Sequence, residues 1–164
     1  MTIPGFDERR LELIDGVVCE KPMPTWGHGR IAGRIFAALD PHGVAGVEPR
    51  AMIPGTADRD DSSVVPDVAF YLSDRPPDSD WMRTPPDIAI EVLSPGQSRR
   101  EMRAKVDIYR SFGVRSVWVV DPEWGLVDVY EGAGRRTVDR SQVLTPPVVP
   151  ALRLPVRDIL GEAG

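Results

Sequence analysis

The chain has 164 residues, 41% of them hydrophobic and 27% charged, enough for one domain around a single core and too few for two full ones. No apolar run approaches the roughly 20 residues needed to cross a bilayer, and the opening Met1 to Arg10 lacks the basic-then-apolar order of a secretion signal, so a cytoplasmic protein with no membrane partner is expected. Cys19 alone cannot close an internal disulfide, and His28 and His42 are too few to build a Cys/His zinc cluster. Any metal would be held by oxygen. The net charge of -5 excludes a polycation that coats nucleic acid over its whole surface, while leaving room for a local basic face. The cations are arginines except for Lys21 and Lys105, so a lysine here is the more informative choice, a compact charge that its surroundings can tune.

In chain order, Arg10 to Glu20 alternates around Asp15-Gly16, a dipeptide suited to a two-residue turn, and predicts a β-hairpin. From Gly27 to Asp40, Ile31, Ile35 and Leu39 recur at helical spacing until Pro41-His42-Gly43 stops them. Strands are predicted over Val44 to Ile53, Val64 to Tyr71 and Ile88 to Leu93, rich in β-branched and aromatic residues. The polar stretch Pro54 to Ser63 reads as a loop. Ser73 to Pro86 holds four prolines and reads as a long loop able to act as a flap. Ser98 and Glu101 have capping-box spacing before a helix marked by Met102, Val106 and Tyr109 and ended by Gly113. Val117 to Asp121 is almost continuously apolar, as in a strand buried on both faces. Strands over Leu126 to Glu131 and Thr137 to Val143 follow, then a proline-rich tail with a short turn or helix near Val156 to Leu160. The order is helix, three strands, helix, strand, with flanking hairpins: a mixed α/β (α+β) fold in one domain over residues 1–164.

Two carboxylates stand at comparable places on neighbouring predicted strands, Asp67 after Pro66 and Glu91 inside Ile88-Ala-Ile-Glu-Val-Leu93. Burying a carboxylate among apolar residues is costly unless a cation pairs with it. The partner is either an arginine or a hard divalent ion, Mg²⁺ or Mn²⁺, which takes carboxylate oxygens and keeps positions open for phosphate. Lys105, on the helix after Glu91, lies on or beside the face packed toward the sheet, where its ammonium can either reach these acids or run along the helix edge to solvent.

Pro66-Asp67, Glu91-Val-Leu-Ser-Pro95, Lys105 with Tyr109, Gly113-Val114 and Trp118-Val-Val-Asp-Pro122, together with Glu12-Leu-Ile-Asp-Gly16 and His28, resemble the bacterial Uma family of restriction endonuclease-like proteins, in the PD-(D/E)XK nuclease superfamily. The resemblance runs from about Leu11 to Leu160. It implies a restriction endonuclease-like core with a mixed central sheet, Asp67 and Glu91 as metal ligands, and the Val92 carbonyl as a third. The usual lysine two residues after the glutamate is Leu93 here, and Lys105 supplies that charge from the following helix. The implied reaction is metal-assisted hydrolysis of phosphodiester bonds, with DNA as partner, and a homodimer would be convenient for cutting both strands.

Glu12 either completes the acidic cluster or is an exposed strand acid. His28 is a supporting residue or a helix-cap histidine. Arg99, Arg100 and Arg103, near the start of the Lys105 helix, either steer phosphate or form a solvated face. Trp26, Trp81 and Trp124 stack on bases or pack in loops. The reading from another class is a binding module that keeps the nuclease fold without turnover.

Overall fold

The computed structural model describes residues 10–73, 81–100 and 102–161. The hairpin forms as β1 (Leu11–Ile14) and β2 (Val17–Glu20). Asp15 and Gly16 both take positive φ, 51° and 78°, as a turn matched to strand twist requires. Helix α1 (Trp26–Leu39) is capped by Thr25, whose hydroxyl accepts the His28 N–H, and it buries Ile31, Ala32, Ile35 and Leu39.

Two of the predicted strands are each split in two. Val44 to Ile53 forms β3 (Val44–Val47) and β4 (Ala51–Ile53), broken at Glu48, whose φ is 50°, and Pro49. Val64 to Tyr71 forms β5 (Ser62–Val64) and β6 (Val68–Tyr71), broken around Pro66, which has no N–H for a ladder. Each break carries the chain from one sheet to another. A four-stranded sheet runs β2-β1-β5-β4, while β3 and β6 join a six-stranded sheet with β7 (Ile88–Val92), β8 (Ser116–Asp121), β9 (Leu126–Glu131) and β10 (Gly134–Asp139). The order of the larger sheet is β10-β9-β8-β7-β6-β3. It is mixed: β7 and β8 are parallel, and its other neighbours are antiparallel.

The β7–β8 crossover passes through α2 (Arg103–Phe112), as a parallel pair requires. This helix starts later than a cap at Ser98 would place it: Met102 is the N-cap, without a side-chain cap bond, and Glu101 lies outside the described residues. Gly113 ends it in the left-handed region, as predicted. The predicted strand Thr137 to Val143 is divided by a turn in which Asp139 accepts the Ser141 N–H and the Gln142 N–H, giving β10 and then β11 (Val143–Leu144). The latter pairs with β12 (Leu154–Pro155), which leads into α3 (Val156–Leu160). Of the expected flap, residues 74–80 lie outside the described residues; Met82 is tied to the small sheet through Arg50 and Met52.

The larger sheet has a core on each face. Even-numbered residues of β6, β7 and β8, among them Phe70, Ile90 and Trp118, pack with α1, α3 and the tail. The odd-numbered face, with Ala69, Ala89 and Val119, meets α2 and the four-stranded sheet. Among the described residues, no helix is long and apolar enough to cross a membrane.

Candidate active site

Alternation along β7 places Glu91 on the face that carries Ala89, beneath α2. The β6–β7 ladder pairs Val68 with Ile90, so one further step would set Asp67 opposite Glu91. The ladder is interrupted there instead: the Asp67 N–H donates to the Ile90 carbonyl, and the Asp67 carboxylate takes up the Val92 N–H at 2.6 Å. The break at Pro66 thus leaves Asp67 at the end of the central sheet and among the residues of both sheets.

The site is a buried network of charges. Lys105, on the inner face of α2, places Nζ 2.6 Å from Glu91 Oε1 and 2.9 Å from Glu12 Oε1. Glu12, inward on β1, also accepts the Val65 N–H at 2.7 Å. Tyr109, one helical turn after Lys105, donates its hydroxyl to Glu91 at 2.6 Å. Across the cluster Asp67 receives Lys21 Nζ on Oδ1 at 2.6 Å and faces His28 Nε2 from Oδ2 at 3.1 Å. Lys21 also donates to the Val65 carbonyl at 2.7 Å. All of these side chains are buried.

The electrostatics follow from this pairing. Burial alone would raise the Asp67 carboxyl, but the His28 hydrogen bond and the Lys21 charge outweigh it and hold the group well below the usual carboxylate range. At Glu91, burial dominates and pushes the carboxyl up against the opposing charges of Lys105 and Lys21. Burial would lower Lys105, yet Glu91 and Glu12 hold it above the ordinary lysine value. Burial, then the neighbouring Glu91, raises the Tyr109 hydroxyl well above its ordinary value.

A cavity of about 130 Å³ opens onto the cluster, lined by Glu12, Lys21, His28, Glu91, Val92 and Lys105 among others. The sequence reading therefore finds Asp67, Glu91, Lys105, Glu12, Val92 and His28 in one neighbourhood. Arg99, Arg100 and Arg103 are elsewhere, in a polar groove of about 580 Å³ that adjoins the cavity through Gln97 and Ser98. Within that groove Arg99 is engaged with Asp121 at 3.3 Å and Asp128 at 3.5 Å. A larger groove of about 870 Å³ beside α1, with Trp26, Arg30, Asp121 and Glu123, meets the cavity at His28, Ser94 and Gln97 but is not lined by Glu12, Asp67 or Glu91. Trp124 lines the arginine groove and Trp81 lies 6.0 Å from the Arg50 guanidinium. Lys21 and Tyr109 were not expected in the site. The available signal for Lys21 was that it is one of two lysines in an arginine-rich chain; for Tyr109 it was the one-turn spacing from Lys105.

A sequence model of the Uma2 family, described as "putative restriction endonuclease", matches residues 3–157. The chain belongs to this family. A solved structure shares the fold: a crystal structure described as a "putative nuclease belonging to DUF820", from Anabaena variabilis ATCC 29413, superposes with a TM-score of 0.79 at 25% identity, covering 93% of this chain and 90% of the other. No curated protein matches the sequence. The Uma2 match spans the hairpin, both sheets and the carboxylates, so the mixed central sheet and its nuclease-like arrangement belong to the family assignment as a whole.

The carboxylate oxygens of Asp67, Glu91 and Glu12 suit a hard divalent cation, while Cys19 and Met102 also line the cavity. Among the described residues, though, no three His, Cys, Asp or Glu side chains converge as a ready-made ligand set. Ammonium groups stand between them.

Proposed function

We propose that this Uma2 protein is a divalent-cation-dependent nuclease that hydrolyses phosphodiester bonds of DNA. The observation that carries the reading is the convergence of Glu91 on β7 with Asp67 just before the neighbouring β6, Asp67 accepting the Val92 N–H at 2.6 Å and Lys105 standing 2.6 Å from Glu91, beside a small cavity lined by Glu91, Glu12 and both lysines. The DNA substrate draws its support from the family description and from the basic groove beside the cavity.

Asp67 and Glu91 are the residues to hold Mg²⁺ or Mn²⁺, with Glu12 and the Val92 backbone beside them. A bound ion of this kind supplies Lewis-acid polarisation of the phosphate and makes water more acidic. The protein's own groups do the rest. Lys105, kept protonated by Glu91 and Glu12, donates hydrogen bonds toward the attacking water or the developing phosphate charge. Tyr109 fixes the Glu91 carboxylate by its 2.6 Å bond, and His28 orients Asp67 from the start of α1. Arg99, Arg100 and Arg103 line a path for the phosphate backbone away from the cut, with Trp124 available to stack a base.

The test is cleavage of supercoiled plasmid and single-stranded DNA with Mg²⁺, with Mn²⁺ and with chelator, using wild type, Glu91→Gln and Lys105→Met. Metal-dependent cutting by wild type that both substitutions abolish is expected. Cutting that survives Glu91→Gln overturns the assignment of the site, and a wild type that binds metal without cutting either substrate favours a non-catalytic binding module on the same fold.

A further inference from the structure

The cluster contains three carboxylates, Glu12, Asp67 and Glu91, and two ammonium groups, Lys21 and Lys105, and the contacts assign every acid a cation. Buried charges persist only when paired, so the chain without metal neutralises its own acidic cluster. The two lysines are held differently. Lys105 bridges two carboxylates from inside a helix, so its withdrawal would strip both. Lys21 serves one carboxylate, Asp67, and among the described residues it otherwise reaches the Val65 carbonyl.

Their places in the fold differ as well. Lys21 is the residue immediately after β2, the outer strand of the four-stranded sheet, whose Val17, Val18 and Glu20 are exposed. The irregular segment 21–25 then leads to α1. Its side chain also lines the cavity, so it has a route out that does not break a helix or a ladder.

Resting on the metal-dependent reading above, we propose that Lys21 is a built-in counter-ion that occupies the Asp67 side of the cation site and is displaced when a divalent ion binds. The lysine then sets the affinity of the site for metal. Only the fraction of molecules with Lys21 withdrawn is competent to bind, and the apparent dissociation constant is raised by the inverse of that fraction.

Because the chain has two lysines, the displacement can be followed on the wild-type protein. Brief modification with an amine reagent, read by peptide mass spectrometry, is expected to label Lys21 more strongly when Mn²⁺ is present than with chelator, with Lys105 protected in both. Titration calorimetry with Mn²⁺ is the second arm: Lys21→Met should bind about tenfold or more tightly than wild type, by the population argument. Wild-type binding with unchanged Lys21 labelling, or Lys21→Met binding no tighter than wild type, overturns the counter-ion role while leaving the metal reading standing. Absence of Mn²⁺ binding by both proteins overturns the metal reading and this inference with it. Should Lys21→Met fail to fold, the wild-type labelling decides alone.

Discussion

The two faces of the six-stranded sheet use the same strands for opposite purposes. On one face Val68, Phe70, Ile88, Ile90, Val92, Trp118 and Val120 meet α1, α3 and the tail in a continuous apolar core. On the other, one residue along in each strand, Ala69 and Ala89 are small, and Asp67 and Glu91 are charged and paired with groups from α1, α2 and the end of β2. The apolar face is held by area removed from water, which is tolerant of direction. The other face has an apolar core of its own, including Val106, Ile108, Val117 and Val119, and beside it the charges are held by pairings at fixed distances, each of which strands a buried charge if one partner goes. Both faces therefore contribute apolar packing, and the paired charges of the cluster lie on one of them.

Substitutions on the two faces should separate these roles. The largest expected effect is on activity: Glu91→Gln should lower plasmid cleavage by at least about a hundredfold, in line with the loss of a group that organises transition-state charge, measured as initial rates at saturating Mg²⁺. On the apolar face, Trp118→Ala should cost about 3–5 kcal/mol by denaturant unfolding, the usual range for an aromatic truncated in a core, while the fraction that remains folded cuts at the wild-type rate. Should that variant lose cleavage without losing stability, the separation of faces fails. Tyr109→Phe removes one hydrogen bond to a buried carboxylate and should cost about 1.5–3 kcal/mol, with a visible loss of cleavage as Glu91 is freed. The smallest change, Ile35→Val in α1, should cost about 0.5–1.5 kcal/mol and leave cleavage untouched.

Acid sharpens the same contrast. The Asp67 carboxyl is held below its ordinary value in the folded chain, so its contribution to stability is fully present above the unfolded value, about 3.9, and is lost as pH falls through and below it. Unfolding free energies of wild type and Asp67→Asn should therefore converge as the pH drops below about 4. A gap that stays constant from pH 7 to pH 3 would mean that the Lys21 and His28 contacts carry no charge-dependent stability.

Much of this arrangement was legible in the sequence. Turn chemistry marked the hairpin at Asp15-Gly16, periodicity marked α1, and the apolar run marked β8, because each depends on local backbone preference. The flanking apolar residues singled out Asp67 and Glu91, since a charge in such a strand demands a partner. The splitting of two predicted strands was not legible in the same way. Val65 continues the apolar run up to Pro66, and Ala51 resumes it after the short interruption Glu48-Pro49-Arg50; only the sheet-to-sheet crossing gives these breaks their meaning. Lys21 escaped for a similar reason: its partner is 46 positions away, and nothing local distinguishes a lysine that turns inward after an exposed strand. The helix itself starts at Arg103, later than the Ser98 spacing suggested, with Met102 as its N-cap.

The charged cluster has one further consequence, which lies in its wiring along the chain. Glu12 and Lys21 from the hairpin, Asp67, Glu91 and Lys105 are joined only when the hairpin, both sheets and the crossover helix have docked. Such contacts close late, because each long loop must be ordered before the pairing rewards it. A chain still emerging from the ribosome, having presented everything through Glu91, lacks the lysine that completes the centre. A chain cut within the crossover loses it again. On the proposed nuclease reading, activity is thereby tied to the last step of folding, and a chain truncated before Lys105 is expected to cut no DNA.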